Sequence, residues 1–146
     1  MKMWTVSFDG SCRPNPGGIG YYAYMIHDGA EKVKEESGEI KDFYDLTEVF
    51  TEFYAVYKGL ESLESMISGS SYIDIKGDSD VVIKILSKKW KAKKTRPDYK
   101  IYRSISEILT QIRKKGAIIS FTWIPRRLNK ECDFLSKGLT TDSGMV

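Results

Sequence analysis

The sequence between residues 3 and 22 reads MWTVSFDGSCRPNPGGIGYY. In its first part Trp4, Val6 and Phe8 alternate with polar residues, which predicts a strand over residues 3–9. The Gly-, Pro- and Asn-rich stretch that follows, residues 10–20, predicts a turn or loop. Asp9 is therefore expected at the end of an apolar strand, directly before a Gly-rich turn.

The rest of the chain predicts an α/β fold. Two further strands, joined at the hairpin signal Asp28-Gly29, would complete an antiparallel meander of three strands. Apolar residues at spacings of three and four predict a long amphipathic helix over residues 47–67. We predict the remaining elements as a strand at 71–76, helices at 81–86 and about 98–115, a strand at 117–123 and a short helix at about 130–137. This order predicts a mixed five-stranded sheet with helices on both faces.

Composition limits the class of protein. A chain of 146 residues suits one domain, predicted over residues 1–140, with a short flexible tail at 141–146. With 41% hydrophobic and 29% charged residues, the chain is not expected to be disordered. It shows no apolar run of the roughly 20 residues that a membrane helix needs and no apolar signal stretch, so we expect a cytoplasmic protein without membrane contact. The sequence carries no signal for an oligomeric state, and a monomer is the default expectation. One histidine and two cysteines disfavour a zinc site, a disulfide scaffold or a Ser-His-Asp hydrolase, which leaves carboxylates for any catalysis.

Charge is spread unevenly along the chain. The net charge is +3, yet residues 1–83 carry a net −8 and residues 84–115 a net +10. Such a basic segment indicates a polyanion partner such as nucleic acid, with a solvated lysine-rich helix face as the alternative. Within KKWKAKKTR, residues 88–96, an aromatic ring stands among lysines and could pack on a sugar or a base. The candidate contacts are Lys89, Trp90, Lys91, Lys93 and Lys94.

Four acidic residues occupy positions that surface solvation explains poorly: Asp9, Glu52, Asp78 and Asp133. Each has a structural alternative, such as capping a helix for Asp78 or complementing a helix dipole for Asp133. Gathered together, four carboxylates would repel one another unless cations neutralised them, and Mg²⁺ is the natural partner of oxygen ligands. Two such ions about 4 Å apart can hold the attacking water and the leaving oxygen of a phosphodiester.

At four places the sequence resembles the ribonuclease H family, type 1. FDGSCRPNPGGIGYY (8–22) is similar to the first motif of the family, and TEF (51–53) to the helix motif that supplies a glutamate. IKGDSDVVIK (75–84) resembles the motif with the third acid, and WIPRRLNKECDFLSKG (123–138) resembles the last motif. The resemblance implies a ribonuclease H-like fold and metal-dependent cleavage of the RNA strand of RNA/DNA hybrids, which leaves 5′-phosphate and 3′-hydroxyl ends.

The resemblance also implies roles for individual residues. Asp9 would bridge two Mg²⁺ ions in the substrate complex, with Mn²⁺ as a substitute. Asp133 would help to hold the ion that carries the nucleophilic water, and Glu52 and Asp78 would hold the second ion. The first motif would face the substrate through Gly10, Ser11, Cys12 and Asn15, with Asn15 on the nucleic-acid backbone and Cys12 as a small polar filler. Residues 88–96 would correspond to the basic protrusion that grips the hybrid.

Two positions depart from the family pattern. The loop before the last acid lacks the histidine that many members carry, and Arg126 is similar to the arginine of archaeal-like members. An arginine cannot shuttle protons at neutral pH, so it would orient a phosphate or help to expel product, with plain backbone contact as the alternative. Glu48-Val49 stands where the family usually has Asn-Asn, which leaves cleavage of double-stranded RNA open. Two further functions stay open as well: a related nuclease that cuts DNA, such as a resolvase or exonuclease, and a catalytically silent nucleic-acid-binding module.

Overall fold

In the computed structural model, which describes residues 1–138, five strands form one mixed sheet. The strands are β1 (Lys2–Arg13), β2 (Ile19–Asp28), β3 (Glu31–Glu39), β4 (Ser71–Gly77) and β5 (Ala117–Trp123). Their order across the sheet is β3-β2-β1-β4-β5. The pairs β1–β2 and β2–β3 are antiparallel, whereas β1–β4 and β4–β5 are parallel. The predicted meander and the mixed five-stranded α/β sheet are therefore confirmed.

Within the described part of the chain, four α-helices accompany the sheet: α1 (Glu48–Glu64), α2 (Asp80–Leu86), α3 (Tyr99–Lys114) and α4 (Lys130–Leu135). The Ser79 hydroxyl accepts a hydrogen bond from the backbone N–H of Val82 and so caps α2, which means that the capping role considered for Asp78 is wrong. Within residues 1–138, no helix combines the length and the apolarity needed to cross a bilayer. The predicted tail, 141–146, and the last two residues of the predicted domain lie outside the described residues.

One hydrophobic core lies between the sheet and the first three helices. Trp4, Val6 and Phe8 are buried on the inner face of β1, as their alternation predicts. The long helix α1 and the amphipathic helix α3 cover this face with buried side chains that include Phe53, Val56, Leu60, Ile105 and Ile112. Burial of this apolar surface drives the packing that fixes the ends of the strands.

Strand β1 continues beyond Asp9, which differs from the predicted strand 3–9 and loop 10–20. Residues 10–13 pair with β2 from Gly10–Tyr22 to Arg13–Ile19, so the turn shrinks to residues 14–18. Pairing with β4 ends earlier, at Ser7–Lys76. Asp9 therefore lies within β1, in a part of the strand that has a neighbouring strand on one side only.

Two glycines allow the elements around this point to approach closely. A Cβ atom on Gly10 would collide with the backbone of Thr51 and Glu52 in α1. A Cβ atom on Gly77 would collide with the ring of Phe8. Because Gly10 follows Asp9 and Gly77 precedes Asp78, these close approaches set the distances between the acidic residues.

Helix α4 packs on the opposite face of the sheet. Gly10 faces α1, and successive residues of a strand point to opposite faces. The Asp9 side chain accordingly points to the other face, where Ser136, at the C-terminal end of α4, donates a hydrogen bond to it. Helices therefore cover both faces of the sheet, as predicted.

The close contact at Gly77 leads to a prediction about the stability of the fold. We expect Gly77→Ala to lower the free energy of unfolding by about 1–3 kcal/mol, because the added methyl group displaces the buried Phe8 ring. In the control Gly38→Ala, the new Cβ would meet the Tyr22 ring at an ordinary 3.4 Å, and we expect a change within about 0.5 kcal/mol. Urea denaturation at neutral pH measures both. Equal losses in the two variants would contradict the proposed close approach.

Candidate active site

Three carboxylates meet beyond the end of β4. One oxygen each of Asp9, Glu52 and Asp78 lies within 4.8 Å of the others. Strand β1 supplies Asp9, the first part of α1 supplies Glu52, and Asp78 directly follows the last residue of β4. The structure therefore brings together three acids that the sequence holds on three separate elements.

Burial raises the pKa of all three acids. Loss of hydration, followed by the charge of Asp78, raises the pKa of Asp9 to about 7, although the Ser136 hydroxyl acts in the opposite direction. Burial raises the pKa of Glu52 to about 8; the Ser79 hydroxyl opposes this rise and the charge of Asp9 adds to it. Burial also raises the pKa of Asp78, and the Arg126 guanidinium partly offsets that rise. Full ionisation of this cluster is unfavourable unless a cation is present.

One carboxylate oxygen in the cluster lacks a donor. Oδ2 of Asp78 is buried, and within residues 1–138 no group donates a hydrogen bond to it. The nearest cation in that range is Arg126, whose Nε lies 3.8 Å away, beyond hydrogen-bond length. Leaving a buried acceptor unsatisfied costs free energy, and a hard divalent cation with oxygen ligands would satisfy it. The donor set of the cluster therefore fits Mg²⁺.

Asp133 lies near these three acids but is not one of the residues whose carboxylate oxygens lie within 4.8 Å of one another. Its Oδ2 is 3.2 Å from Nζ of Lys137, which lies one helical turn further along the chain. Its charge nevertheless contributes to the raised pKa values of Asp9 and Asp78. The expected cluster of four acids is thus a group of three with the fourth at its rim.

The residues of the first motif that were predicted to contact substrate lie in environments that differ from one another. Oδ1 of Asn15 accepts a hydrogen bond from the backbone N–H of Glu48, which ties the turn after β1 to the start of α1. Ser11 is buried and donates a hydrogen bond to the carbonyl of Ser136. Cys12 is only 4% exposed, and its thiol lies against the carbonyls of Pro14 and Leu46. The substrate-facing position expected for Cys12 is wrong, because β1 continues through residue 12 and turns this side chain into the core.

The basic segment, residues 88–96, forms an exposed loop between α2 and α3. Residues 88–96 are therefore not part of a helix face, whereas α3 within the basic stretch 84–115 does carry exposed basic residues such as Lys100 and Lys114. The lysines of residues 88–96 are exposed, and the Trp90 ring is 47% exposed with Nζ of Lys84 4.6 Å above its centre. Arg96 binds the Asp98 carboxylate through two hydrogen bonds of 2.8 and 3.0 Å, which anchors the loop to the start of α3. A cleft of about 440 Å³ is lined by Ile85, Lys89, Trp90, Lys91, Lys93 and Arg96.

Sequence reasoning did not indicate Ser136. Its hydroxyl donates a 3.0 Å hydrogen bond to Oδ2 of Asp9, and the residue is 1% exposed. The two residues lie 127 positions apart, so no local pattern could have revealed the contact.

Comparisons with known proteins agree with this geometry. The family model described as RNase H matches residues 1–139. A protein named Ribonuclease H from Nitratidesulfovibrio vulgaris (strain DP4) is 31% identical over 152 aligned positions, which cover 97% of this chain and 91% of that protein. The crystal structure of RNase H1 from the halophilic archaeon Halobacterium salinarum NRC-1 is similar with a TM-score of 0.72 at 26% identity, and the match covers 91% of this chain and 93% of that one.

A third comparison concerns the fold alone. LC11-RNase H1, solved in complex with RNA/DNA hybrid, is similar with a TM-score of 0.78 at 21% identity. The match covers 97% of this chain and 99% of that one.

The raised pKa values predict that the metal-free protein loses stability as the pH rises from 5 to 9. Asp9 and Glu52 have folded pKa values of about 7 and 8 against ordinary values of 3.8 and 4.5. In this window the folded state holds more protons than the unfolded state, so deprotonation favours unfolding. We expect Glu52→Gln to raise the free energy of unfolding at pH 9 by about 1–3 kcal/mol and to have little effect at pH 4.

Urea denaturation in EDTA at the two pH values measures this effect. The exposed Glu61, also on α1, provides the control Glu61→Gln, which should leave the pH dependence unchanged. If the free energy of unfolding of Glu52→Gln depended on pH as strongly as that of the parent, the raised pKa assigned to Glu52 would be wrong.

Proposed function

This chain belongs to the ribonuclease H family, and on that basis we propose that it cleaves the RNA strand of RNA/DNA hybrids by metal-dependent hydrolysis. The observation that carries the proposal is the buried cluster of Asp9, Glu52 and Asp78, in which one carboxylate oxygen has no donor among the described residues 1–138. The hybrid bound by the structural neighbour LC11-RNase H1 supports this choice of substrate.

Divalent cations are the cofactor that the cluster would take. Asp9, Glu52 and Asp78 would hold two Mg²⁺ ions in the substrate complex, Asp133 would complete the ligand set from the rim, and Mn²⁺ would be a substitute. The bound ions would activate the attacking water and neutralise the charge on the leaving 3′-oxygen, which leaves 5′-phosphate and 3′-hydroxyl ends. Rigid elements carry the first three acids, so the ligand oxygens are already gathered before the substrate binds.

Arg126 provides a fixed positive charge at the edge of the cluster. Its side chain is 70% exposed, and its Nε lies 3.8 Å from the buried oxygen of Asp78. A guanidinium stays protonated at neutral pH and presents a planar set of donors that suits phosphate. We assign Arg126 to orienting the scissile phosphate, and proton transfer is left to water.

Recognition of the substrate would divide between two regions. A ribose 2′-hydroxyl both donates and accepts hydrogen bonds, so backbone amides in residues 10–20 and groups near Glu52 would distinguish RNA from DNA beside the cluster. The loop of residues 88–96 would bind phosphates of the other strand without reading base sequence. Its lysines and the Trp90 ring offer the charge and the stacking surface that such binding uses. We expect this activity from a monomer in the cytoplasm.

The decisive experiment is a cleavage assay on a 5′-labelled RNA/DNA hybrid. We expect cleavage of the RNA strand with Mg²⁺, none in EDTA, and recovery with Mg²⁺ or Mn²⁺. Asp9→Asn should lower the rate by about 100-fold or more while hybrid binding persists. The control Asp28→Asn, which removes a charge from an exposed pair with Lys2, should keep full activity.

Three outcomes would contradict this proposal. Cleavage that persists in EDTA would exclude metal-dependent hydrolysis. Cleavage of double-stranded DNA in place of the hybrid would identify a DNA nuclease. Binding of the hybrid without cleavage would identify a silent binding module. A parallel lane of double-stranded RNA tests whether the enzyme also accepts that duplex.

The basic loop predicts a separate effect on binding. We expect a triple variant, Lys91→Ala, Lys93→Ala and Lys94→Ala, to raise KM more than it lowers kcat, because it removes phosphate contacts remote from the reacting bond. The salt dependence of binding should also weaken, by roughly 0.9 in slope for each lost phosphate contact on the B-DNA scale.

A triple variant at exposed lysines elsewhere (Lys2, Lys34 and Lys114 to Ala) removes the same charge and serves as the control. Steady-state kinetics at several salt concentrations compare the two triple variants. An unchanged KM for the loop variant would assign the loop to solubility alone.

A further inference from the structure

Helix α4 is attached to β1 at both of its ends. At its start, Nδ2 of Asn129 donates a 2.9 Å hydrogen bond to the carbonyl of Phe8. At its end, the hydroxyl of Ser136 donates to Oδ2 of Asp9, and the hydroxyl of Ser11 donates to the carbonyl of Ser136. The helix that carries Asp133 is therefore tied to the strand that carries Asp9.

We infer that Ser136 is a positioning residue for the metal site, since its hydroxyl holds Oδ2 of Asp9 and so fixes how the Asp9 carboxylate is presented to the cluster. This inference rests on the proposed function, because it gives Asp9 the role of a metal ligand. Ser136 itself touches neither metal nor substrate and acts through Asp9.

The torsion of the Asp9 side chain is the property that Ser136 controls. The terminal torsion of an aspartate is broad, so an unrestrained carboxylate turns freely about its last bond. A hydrogen bond from a hydroxyl to an ionised carboxylate is strong and directional, and this one lies in a buried environment. It selects one orientation of the Asp9 carboxylate within the cluster.

Ser136 cannot easily move away from this position. Its backbone N–H donates a 2.8 Å hydrogen bond to the carbonyl of Cys132, which holds the residue at the end of α4. Asp9 and Ser11 lie on the same face of β1 and contact its hydroxyl and its carbonyl respectively. The Ser136 hydroxyl has a single hydrogen, and the carbonyl of Asp133 lies at the same 3.0 Å as Oδ2 of Asp9. An ionised carboxylate is the stronger acceptor of the two, so we assign the hydrogen bond to Asp9.

A second buried serine offers a matched control. Ser71 is 2% exposed, and its hydroxyl contacts the carbonyl of Gly69. It begins β4, at the opposite end of that strand from Asp78. Ser71→Ala therefore removes a buried hydroxyl without touching the carboxylate cluster.

The test measures Mg²⁺ binding to the whole chain without substrate, through the rise in melting temperature as Mg²⁺ is added. We expect Ser136→Ala to need about 10- to 100-fold more Mg²⁺ than the parent for the same rise. Ser136→Cys keeps nearly the same volume but donates weakly, and it should fall between the parent and the alanine variant. Ser71→Ala should melt earlier and keep the Mg²⁺ dependence of the parent.

Cleavage kinetics on the hybrid provide the second measurement. The Ser136 variants should require more Mg²⁺ for half-maximal rate, with an unchanged KM for the hybrid at saturating Mg²⁺. If Ser136→Ala does not fold, the Mg²⁺ dependence of Ser136→Cys tests the inference instead. Parent-like Mg²⁺ dependence in a folded Ser136 variant would overturn the inference.

The two proposals fail in different ways. A parent protein that binds Mg²⁺ but cleaves no hybrid would overturn the proposed function, while the effect of Ser136 on Mg²⁺ binding would still be measured. A parent that cleaves the hybrid together with Ser136 variants of unchanged Mg²⁺ dependence would overturn only the role of Ser136.

Discussion

Repulsion among buried carboxylates is the constraint that the surrounding structure must withstand. Asp9, Glu52 and Asp78 are removed from water and held within 4.8 Å of one another, where like charges interact more strongly than at the surface. Each acid is attached to a different element, and these elements share the core formed by side chains such as Phe8 and Phe53. Packing of that core supplies the free energy that keeps the acids together. The site therefore lowers the free energy of unfolding, and the packing of the core outweighs that loss.

Charge is also separated in space. The acids converge where β1 extends beyond its pairing with β4, whereas the lysine-rich loop projects between α2 and α3. The acidic cluster and the lysine-rich loop could each face the phosphates of a nucleic-acid backbone. Of these two regions, only the acidic cluster offers oxygen ligands for a cation. The chain therefore keeps groups suited to chemistry apart from groups suited to backbone binding, and this agrees with its membership of the ribonuclease H family.

Local patterns predicted the elements better than their junctions. The apolar run of residues 117–123 predicted β5 with its observed bounds, and the spacing of three and four predicted α1 to within three residues at its C-terminal end. The extension of β1 through Arg13 was missed, because its Gly-rich sequence signals a turn while its hydrogen-bond partners belong to β2. The burial of Cys12 was missed as well, because the resemblance to the family implied a substrate-facing position for it. The contact of Ser136 with Asp9 and the raised pKa of Glu52 depend on burial and on distant neighbours, which no window of sequence contains.

The tryptophan of the basic loop is already ordered in the free protein. Asp80 pairs with Lys84 at 2.8 Å, Nζ of Lys84 lies over the Trp90 ring, and the backbone N–H of Trp90 bonds to the carbonyl of Lys84. Helix α2 thus restrains both the main chain and the indole before any partner arrives. A partner that bound through this ring would then cost less rotamer entropy at this position than it would with a freely rotating side chain. In this respect the loop behaves as a preorganised platform, although it has no regular secondary structure.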